Sequence, residues 1–143
     1  MKERSVVLAL FTDGEHVVVQ ERGRYSKVGE KYGFIGGGME EGETKEEAIK
    51  RELQEELGFV PEKLEYALTY HFIIKEKGDW EGANINEIIF LSPITNEVEN
   101  AKITEGVGLL KLRVDEIIKG DGFPDGSTKF LKDLKKTGRL YLK

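Results

Sequence analysis

The segment 37–59 constrains the fold of this 143-residue chain more than any other stretch. Three glycines, at positions 36–38, lead into it, and it contains eight glutamates. The glutamates are Glu40, Glu41, Glu43, Glu46, Glu47, Glu52, Glu55 and Glu56. So many carboxylates beside a glycine turn are typical of either a solvated surface helix or a cation site.

Local signals place one helix within this segment. Thr44 is followed three residues later by Glu47, the pattern of a capping box in which each side chain bonds the other residue's backbone N–H. Gly58 suits the position just after a helix, where a left-handed backbone is favoured, and Pro61 prevents continuation. We therefore predict a helix that begins at Thr44 and ends at Gly58.

The two sides of this predicted helix differ in character. At about 100° per residue, one stripe is apolar and is expected to face the core: Ile49, Leu53 and Leu57. The adjoining arc carries Glu52, Glu55 and Glu56, so we expect these carboxylates to be partly buried. Burial and like charge raise carboxylate pKa values unless a cation neutralises the cluster. An all-oxygen cluster suits Mg²⁺ or Mn²⁺, although composition alone still favours a solvated helix.

The rest of the chain predicts six or seven strands and two further helices. Residues 5–11 form an almost continuous apolar run, as expected for a strand buried on both faces. The other predicted strands are 16–22, which forms a hairpin with the first, and 32–35, 64–76, 84–91 and 106–112. Segment 64–76 is either one long strand or two strands joined by a bend. Residues 96–105 are predicted to be irregular, and helices are predicted at 114–119 and 127–136. This order favours an α/β fold, a mixed sheet with helices on both faces.

Composition limits the class of protein. The chain is 38% hydrophobic and 34% charged, which indicates one folded domain over residues 1–143. It has no cysteine, so it has neither disulfides nor thiolate metal ligands. It shows no targeting leader and no apolar run of about 18 residues, so we expect a cytoplasmic protein without a membrane contact. A net charge of −5 argues against a stable nucleic-acid complex.

The order of residues in segment 37–59 resembles the signature of the Nudix hydrolases. Gly37 is followed after five residues by Glu43, after seven more by Arg51-Glu52-Leu53, and then by Glu55-Glu56 and Gly58-Phe59. Two positions depart from the family pattern: Phe59 is usually aliphatic, and Ile35 is often proline. The resemblance implies a Nudix-type α/β/α sandwich with a mixed central sheet.

The same resemblance implies roles for the matching residues. Nudix hydrolases use a divalent cation, Mg²⁺ or Mn²⁺, while water attacks phosphorus in a nucleoside diphosphate joined to another group. Glu55 and Glu56 would hold the cation with a backbone carbonyl of the Gly36-Gly37 pair. Glu52 would be a metal ligand or the general base. Arg51 would orient a glutamate, Glu43 would brace the loop or bind a further cation, and Gly58 would be structural.

Residues outside the signature carry weaker expectations. Glu105 is the candidate for a late acidic metal ligand, with Glu87, Glu97 and Glu99 as alternatives. Arg22 stands where related MutT-type enzymes place a substrate-binding arginine. Segment 123–127 resembles the base-recognition loop of oxidised-purine nucleotide hydrolases, in which Phe123 would stack on a base and Asp125 would accept its hydrogen bonds. A plain turn is the alternative for that loop.

The resemblance makes a nucleoside or deoxynucleoside triphosphate, such as an oxidised purine nucleotide, the expected substrate, with a monophosphate and pyrophosphate as products. Alternatives are a nucleotide sugar, a dinucleoside polyphosphate, or a nucleotide-binding sensor without turnover. Residues 74–77 lack the proline and tyrosine that mark the ADP-ribose and dinucleoside polyphosphate branches. Dimers are common in the family, and the sequence leaves a homodimer open.

Overall fold

The computed structural model describes residues 2–25, 31–75, 77–101, 108–120, 122–123 and 128–142. Within these ranges, seven strands form one mixed sheet: β1 Glu3–Thr12, β2 His16–Glu21, β3 Tyr32–Gly33, β4 Ile35–Gly38, β5 Glu65–Ile73, β6 Asn84–Pro93 and β7 Gly108–Arg113. The helices are α1 Lys45–Leu57, α2 Asn96–Glu99, α3 Val114–Lys119 and α4 Lys129–Lys136, with a 3-10 turn at Gly23–Tyr25. Within the described residues, no helix combines the length and apolar character needed to cross a membrane.

Strand β1 is the centre of the sheet. It runs parallel to β6 along its whole length and antiparallel to β4, while β5 pairs with the far edge of β6. The predicted hairpin between β1 and β2 is confirmed next to its turn, where Thr12 pairs with Val17. Beyond that pair the two strands take other partners, because β1 pairs with β4 and β2 pairs with β7.

The side chains of β1 alternate between two apolar cores. Val7, Ala9 and Phe11 pack in the cluster that contains the apolar side of α1 and Val98 of α2. Leu8 and Leu10 pack in the cluster on the other face of the sheet, with residues of α3 and α4. The prediction that this strand is buried on both faces is therefore confirmed, and the helices lie on both sides of the sheet.

Helix α1 has the predicted limits. The Glu47 backbone N–H donates to Thr44 Oγ1 at 3.1 Å, and the Thr44 N–H donates to Glu47 Oε1 at 2.9 Å. At the other end Gly58 is left-handed, with φ of 84°, and its N–H donates to the Gln54 carbonyl at 3.0 Å. Backbone groups at both helix ends are thus hydrogen-bonded by the capping residues that the sequence predicts.

Three predicted segments differ from the structure. A short helix, α2, lies where an irregular segment was predicted, because Thr95 caps it and Val98 is fully buried. Helix α4 begins at Lys129, later than the predicted residue 127, and Ser127 itself lies outside the described residues. Strand β5 ends at Ile73 and carries an irregularity near its start.

Candidate active site

Arg51 of α1 joins three carboxylates and one backbone carbonyl. Its Nε and Nη2 donate to the two oxygens of Glu43 at 2.7 and 2.9 Å, a bidentate pair. Its Nη1 donates to Glu52 Oε1 at 3.0 Å and approaches Glu55 Oε2 at 3.4 Å. Nη2 also donates to the Gly38 carbonyl at 3.0 Å. One guanidinium thereby ties the helix to the end of β4 and to the loop that follows.

Glu43 is held in its ionised form by this arrangement. Its carboxylate accepts from Arg51 and also from the Glu40 backbone N–H at 2.7 Å. The hydrogen bonds from Arg51, and then that from Glu40, hold the pKa of Glu43 at about 2, below its ordinary 4.5. Glu43 in turn is the main cause of a raised pKa for Arg51. Both partners are charged at neutral pH, so the ion pair between Glu43 of the loop and Arg51 of the helix is intact there.

The glycines of β4 bring the backbone against β1 and α1. Gly36 has φ of 150°, and a Cβ there would lie 2.0 Å from the Val7 carbonyl oxygen. A Cβ on Gly37 would lie 2.6 Å from the carboxylate atoms of Glu52. Gly36 is required by its backbone conformation and by β1, whereas Gly37 is required because Glu52 occupies the space above it.

The three carboxylates of the acidic arc are not equally buried. Glu52 and Glu56 are 9% and 7% exposed, as expected for residues beside the apolar stripe. The side chain of Glu55 is 59% exposed, so the expectation of partial burial is wrong for this residue. The reason is angular: Glu55 lies about 100° further round the helix than Glu56, away from the stripe.

The donors assembled here are all oxygens. The Glu52 carboxylate lies against the Gly37 backbone, and Glu56 is buried one turn further along the same side of α1. Oxygen donors suit a hard divalent cation, so the candidate ligands are Glu52, Glu55, Glu56 and the carbonyls of the Gly36-Gly37 pair. Among the described residues, no three or more His, Cys, Asp or Glu side chains are already grouped as a metal site.

The predicted substrate residues lie on other elements. Arg22, just after β2, donates from Nη1 to Gln20 Oε1 at 2.9 Å. The Phe123 ring stacks on Phe34, with centroids 4.8 Å apart, and lies 5.7 Å from the ring of Tyr32. Phe34 belongs to the core on the α3–α4 face, so Phe123 is on the face of the sheet opposite α1. Asp125 lies outside the described residues.

The candidates for an acidic metal ligand from outside the signature have different surroundings in the structure. Glu105 lies outside the described residues. Glu99 is paired with Lys111, at 3.1 Å, and Glu97 is an exposed residue of α2. Glu87 is buried on β6 but on the face opposite α1, because Ile88 and Phe90 pack with α1 while Ile89 and Leu91 pack with α3 and α4.

Sequence reasoning gave Glu87 no role beyond that of a rival ligand. It is 6% exposed, and burial raises its pKa to about 8. Within the described part of the chain its Oε1 has no hydrogen-bond partner. The available signal was a single charge in the apolar alternation of Ile85, Ile89 and Leu91.

Comparisons with known proteins agree on one family. A family model of the NUDIX domain matches residues 1–133. The 8-oxo-dGTP diphosphatase of Escherichia coli K12 is 34% identical over 94 residues, which cover 71% of that protein and 57% of this chain.

Solved structures share the fold at low sequence identity. The MutT protein of Methanosarcina mazei Go1 superposes with a TM-score of 0.76 at 19% identity, over 96% of each chain. The NUDIX domain of Shewanella oneidensis NrtR, solved with ADP ribose, has a TM-score of 0.69 at 16% identity, over 98% of this chain and 90% of that one. Because the family match extends over nearly the whole chain, through α1 and the sheet that holds it, this protein belongs to the Nudix hydrolase family.

Proposed function

We propose that this protein is a divalent-cation-dependent pyrophosphohydrolase that cleaves a nucleoside triphosphate to the monophosphate and pyrophosphate. Oxidised purine nucleotides are the expected substrates. The observation that carries the proposal is the Arg51-centred cluster, in which Glu43, Glu52 and the Gly38 carbonyl are bound by one guanidinium. The identity of 34% with an 8-oxo-dGTP diphosphatase supports the choice of substrate.

The residues of α1 would hold Mg²⁺, or Mn²⁺, with the backbone of β4. Glu52, Glu55, Glu56 and a carbonyl of the Gly36-Gly37 pair are the ligands that we propose. A cation held there would supply positive charge to offset that of the phosphates and would lower the pKa of the attacking water. Glu52 serves either as a ligand or as the general base that removes the proton from the attacking water.

Arg51 and Glu43 act as positioning residues in this proposal. Arg51 bonds Glu52 and approaches Glu55, so it fixes where two carboxylates point. Glu43 holds Arg51 by two hydrogen bonds and binds the Glu40 N–H, which fixes the loop. Phosphoryl transfer depends on placing charge and water accurately rather than on a covalent nucleophile.

Contacts with the substrate are assigned to residues outside the cluster. Arg22 would bind phosphate, and Phe123 would stack on the base while Asp125 accepts from its edge. Glu105 would complete the cation site. The stacking of Phe123 on Phe34 supports its part, because a ring held by another ring offers a prepared apolar face.

The test is pyrophosphate release from a nucleotide panel with Mg²⁺ or Mn²⁺, compared between wild type and Glu56→Gln. The panel includes 8-oxo-dGTP, the four common deoxynucleotides, ADP-ribose and a dinucleoside polyphosphate. We expect kcat to fall by roughly 10²–10³-fold in Glu56→Gln, since a cation ligand loses its charge. Glu46→Gln, at an exposed glutamate of the same helix, is the matched control and should stay within about twofold of wild type.

Two results would contradict the proposal. Nucleotide binding without turnover under every cation would indicate a sensor instead of an enzyme. Turnover confined to ADP-ribose or to dinucleoside polyphosphates would keep the hydrolase and reject the triphosphate substrate.

A further inference from the structure

Trp80, in the loop between β5 and β6, contacts two cations of β1. Lys2 Nζ lies 5.1 Å from the centre of the indole ring, and the guanidinium carbon of Arg4 lies 5.4 Å from it. Both distances are within the range of cation–π attraction. Trp80 is 40% exposed and belongs to neither apolar core, so packing in a core does not account for its position.

The two cations differ in their other partners. The Lys2 ammonium donates a hydrogen bond to the Asp79 carbonyl of the same loop. Among the residues that the structure describes, the half-buried Arg4 guanidinium contacts the ring and has no carboxylate partner or carbonyl acceptor. An aromatic ring restrains a guanidinium without neutralising it. The charge of Arg4 and its N–H donors therefore remain available to an anion.

The Arg4 side chain reaches the strand that carries the proposed cation-binding carbonyls. A Cβ on Gly38 would lie 2.8 Å from Arg4 Nη2 and 3.2 Å from its Nε, so the guanidinium covers this glycine. The Gly38 carbonyl accepts from Arg51 Nη2 at 3.0 Å. Gly38 directly follows the Gly36-Gly37 pair, and consecutive Cα atoms are about 3.8 Å apart. Two guanidinium groups thus meet at the end of β4, and the second of them, Arg4, has no anion.

Arg4 lies on the face of the sheet where the base contacts are expected. Side chains alternate along a strand, so Arg4 shares the face of β1 that carries Leu8 and Leu10. Those leucines belong to the core on the α3–α4 face, against which Phe123 stacks. Arg4 is therefore beside β4 on the side of Phe123, whereas Arg51 approaches β4 from α1.

We propose that Arg4 binds phosphate oxygens of the substrate and that Trp80 positions it for this contact. The inference rests on the proposed function and adds to Arg22 a second cation for the phosphate chain. Phosphates held at the Gly36-Gly37 carbonyls through a divalent cation would lie beside Gly38, within reach of the Arg4 guanidinium. A guanidinium suits this role because it can donate two parallel hydrogen bonds to a phosphate group.

The charges around α1 give a physical reason for a second guanidinium. A triphosphate brings several negative charges to a helix that already carries Glu52, Glu55 and Glu56. Arg51 is bound to Glu43 and Glu52, so most of its charge is already matched. An uncommitted cation on the other side of β4 would reduce the repulsion between the phosphates and these carboxylates.

A purely structural role for Arg4, in which it only joins the loop to β1 through Trp80, makes different predictions. Loss of such a contact would lower thermal stability and would not change the affinity for phosphate. Phosphate binding predicts the reverse: Arg4→Gln should keep its fold and bind polyphosphate more weakly. Trp80→Leu keeps the arginine and removes the ring that restrains it, so it should have the same effect to a smaller degree.

The experiment measures kcat and KM for 8-oxo-dGTP with wild type, Arg4→Gln and Trp80→Leu. We expect KM to rise roughly 10-fold in Arg4→Gln, because a charge-assisted hydrogen bond is lost, while kcat stays within about threefold. In Trp80→Leu we expect KM to rise by roughly 2–5-fold. Arg113→Gln, at an exposed arginine that ends β7, is the matched control and should stay within about twofold of wild type.

Calorimetric binding of inorganic tripolyphosphate in the presence of Mg²⁺ supplies a readout without turnover. An affinity at least about fivefold weaker in Arg4→Gln than in Arg113→Gln would support the role of Arg4 even if no nucleotide is hydrolysed. Equal affinity in the two variants, or no binding by wild type, would overturn that role even if hydrolysis is confirmed. Arg4→Met repeats both measurements with an unbranched apolar side chain, so that poor folding of one variant does not decide the result.

Discussion

Two glutamates on opposite sides of the sheet have pKa values shifted in opposite directions. Glu43 accepts three hydrogen bonds, two from Arg51 and one from the Glu40 backbone, and its pKa is held at about 2. Glu87 is buried, its Oε1 lacks a partner among the described residues, and its pKa is raised to about 8. The residue type is identical, so the difference comes wholly from what surrounds each group.

The contrast teaches what each region is prepared to do. Around Arg51 the chain supplies both the charges and their partners, and the arrangement is complete before any ligand arrives. Around Glu87 the described residues leave one buried carboxyl oxygen, Oε1, without a hydrogen-bond partner. A completed network holds its groups in their charged forms and in place, whereas burial without an offsetting partner favours the neutral form of a carboxyl.

Replacing the guanidinium that completes the first region should have the largest effect. Arg51→Lys keeps a positive charge but cannot bind Glu43 with two parallel hydrogen bonds while also reaching Glu52 and the Gly38 carbonyl. We expect kcat for pyrophosphate release to fall by roughly 10²-fold, because misplaced carboxylates misplace the reacting groups.

Lys50→Arg, at the exposed neighbouring position on α1, provides the control and should leave kcat unchanged. If Arg51→Lys keeps kcat within threefold of wild type, the Arg51 network is not needed to position the carboxylates. The functional part of the contrast between Glu43 and Glu87 is then rejected.

The raised pKa of Glu87 should make the free energy of unfolding depend on pH. The folded protein keeps the Glu87 proton up to about pH 8, whereas the unfolded chain releases it near 4.5. The contribution of Glu87 to the free energy of unfolding is therefore fully present below about pH 4.5 and is lost as the pH rises to about 8. We expect Glu87→Gln to be more stable than wild type at pH 8.5 by roughly 2–4 kcal/mol, and much closer to it at pH 4.5.

Urea unfolding of both proteins at several pH values measures this difference. The same curves for Glu65→Gln, at an exposed position, should run parallel to wild type. A stability difference between Glu87→Gln and wild type that stays constant from pH 4.5 to 8.5 would show that Glu87 titrates normally in the folded protein.

The smallest effect on stability is expected from Glu43, and its pH dependence is opposite to that of Glu87. Its pKa of about 2 in the folded protein lies below 4.5, so its contribution is present above about pH 4.5 and is lost as the pH falls towards 2. Glu43→Gln should be less stable than wild type at neutral pH, and the gap should close in acid. Thermal unfolding between pH 2.5 and 7 measures it, and a gap that widens in acid would exclude an ionised Glu43 held by Arg51.

Local signals made part of this protein predictable. The capping pair Thr44 and Glu47 and the left-handed Gly58 fix the ends of α1 through contacts between residues a few positions apart. Helix α2 was missed because so short a segment depends on the burial of Val98 in a core built from distant residues, in addition to its Thr95 cap. The burial of Glu55 was misjudged because the three glutamates were treated as one arc, although Glu55 lies about 100° further from the apolar stripe than Glu56.

The sequence by itself determined the helix, its acidic arc and the spacing of the Nudix signature, because each depends on chain geometry over a few turns. Tertiary structure decided how these groups are used. Arg51 meets Glu43 and Gly38 only because β4 is packed beside β1 and turns back to α1. The pKa values of Glu43 and Glu87 differ because hydrogen-bond donors hold the first in its ionised form, while burial in the sheet favours the neutral form of the second.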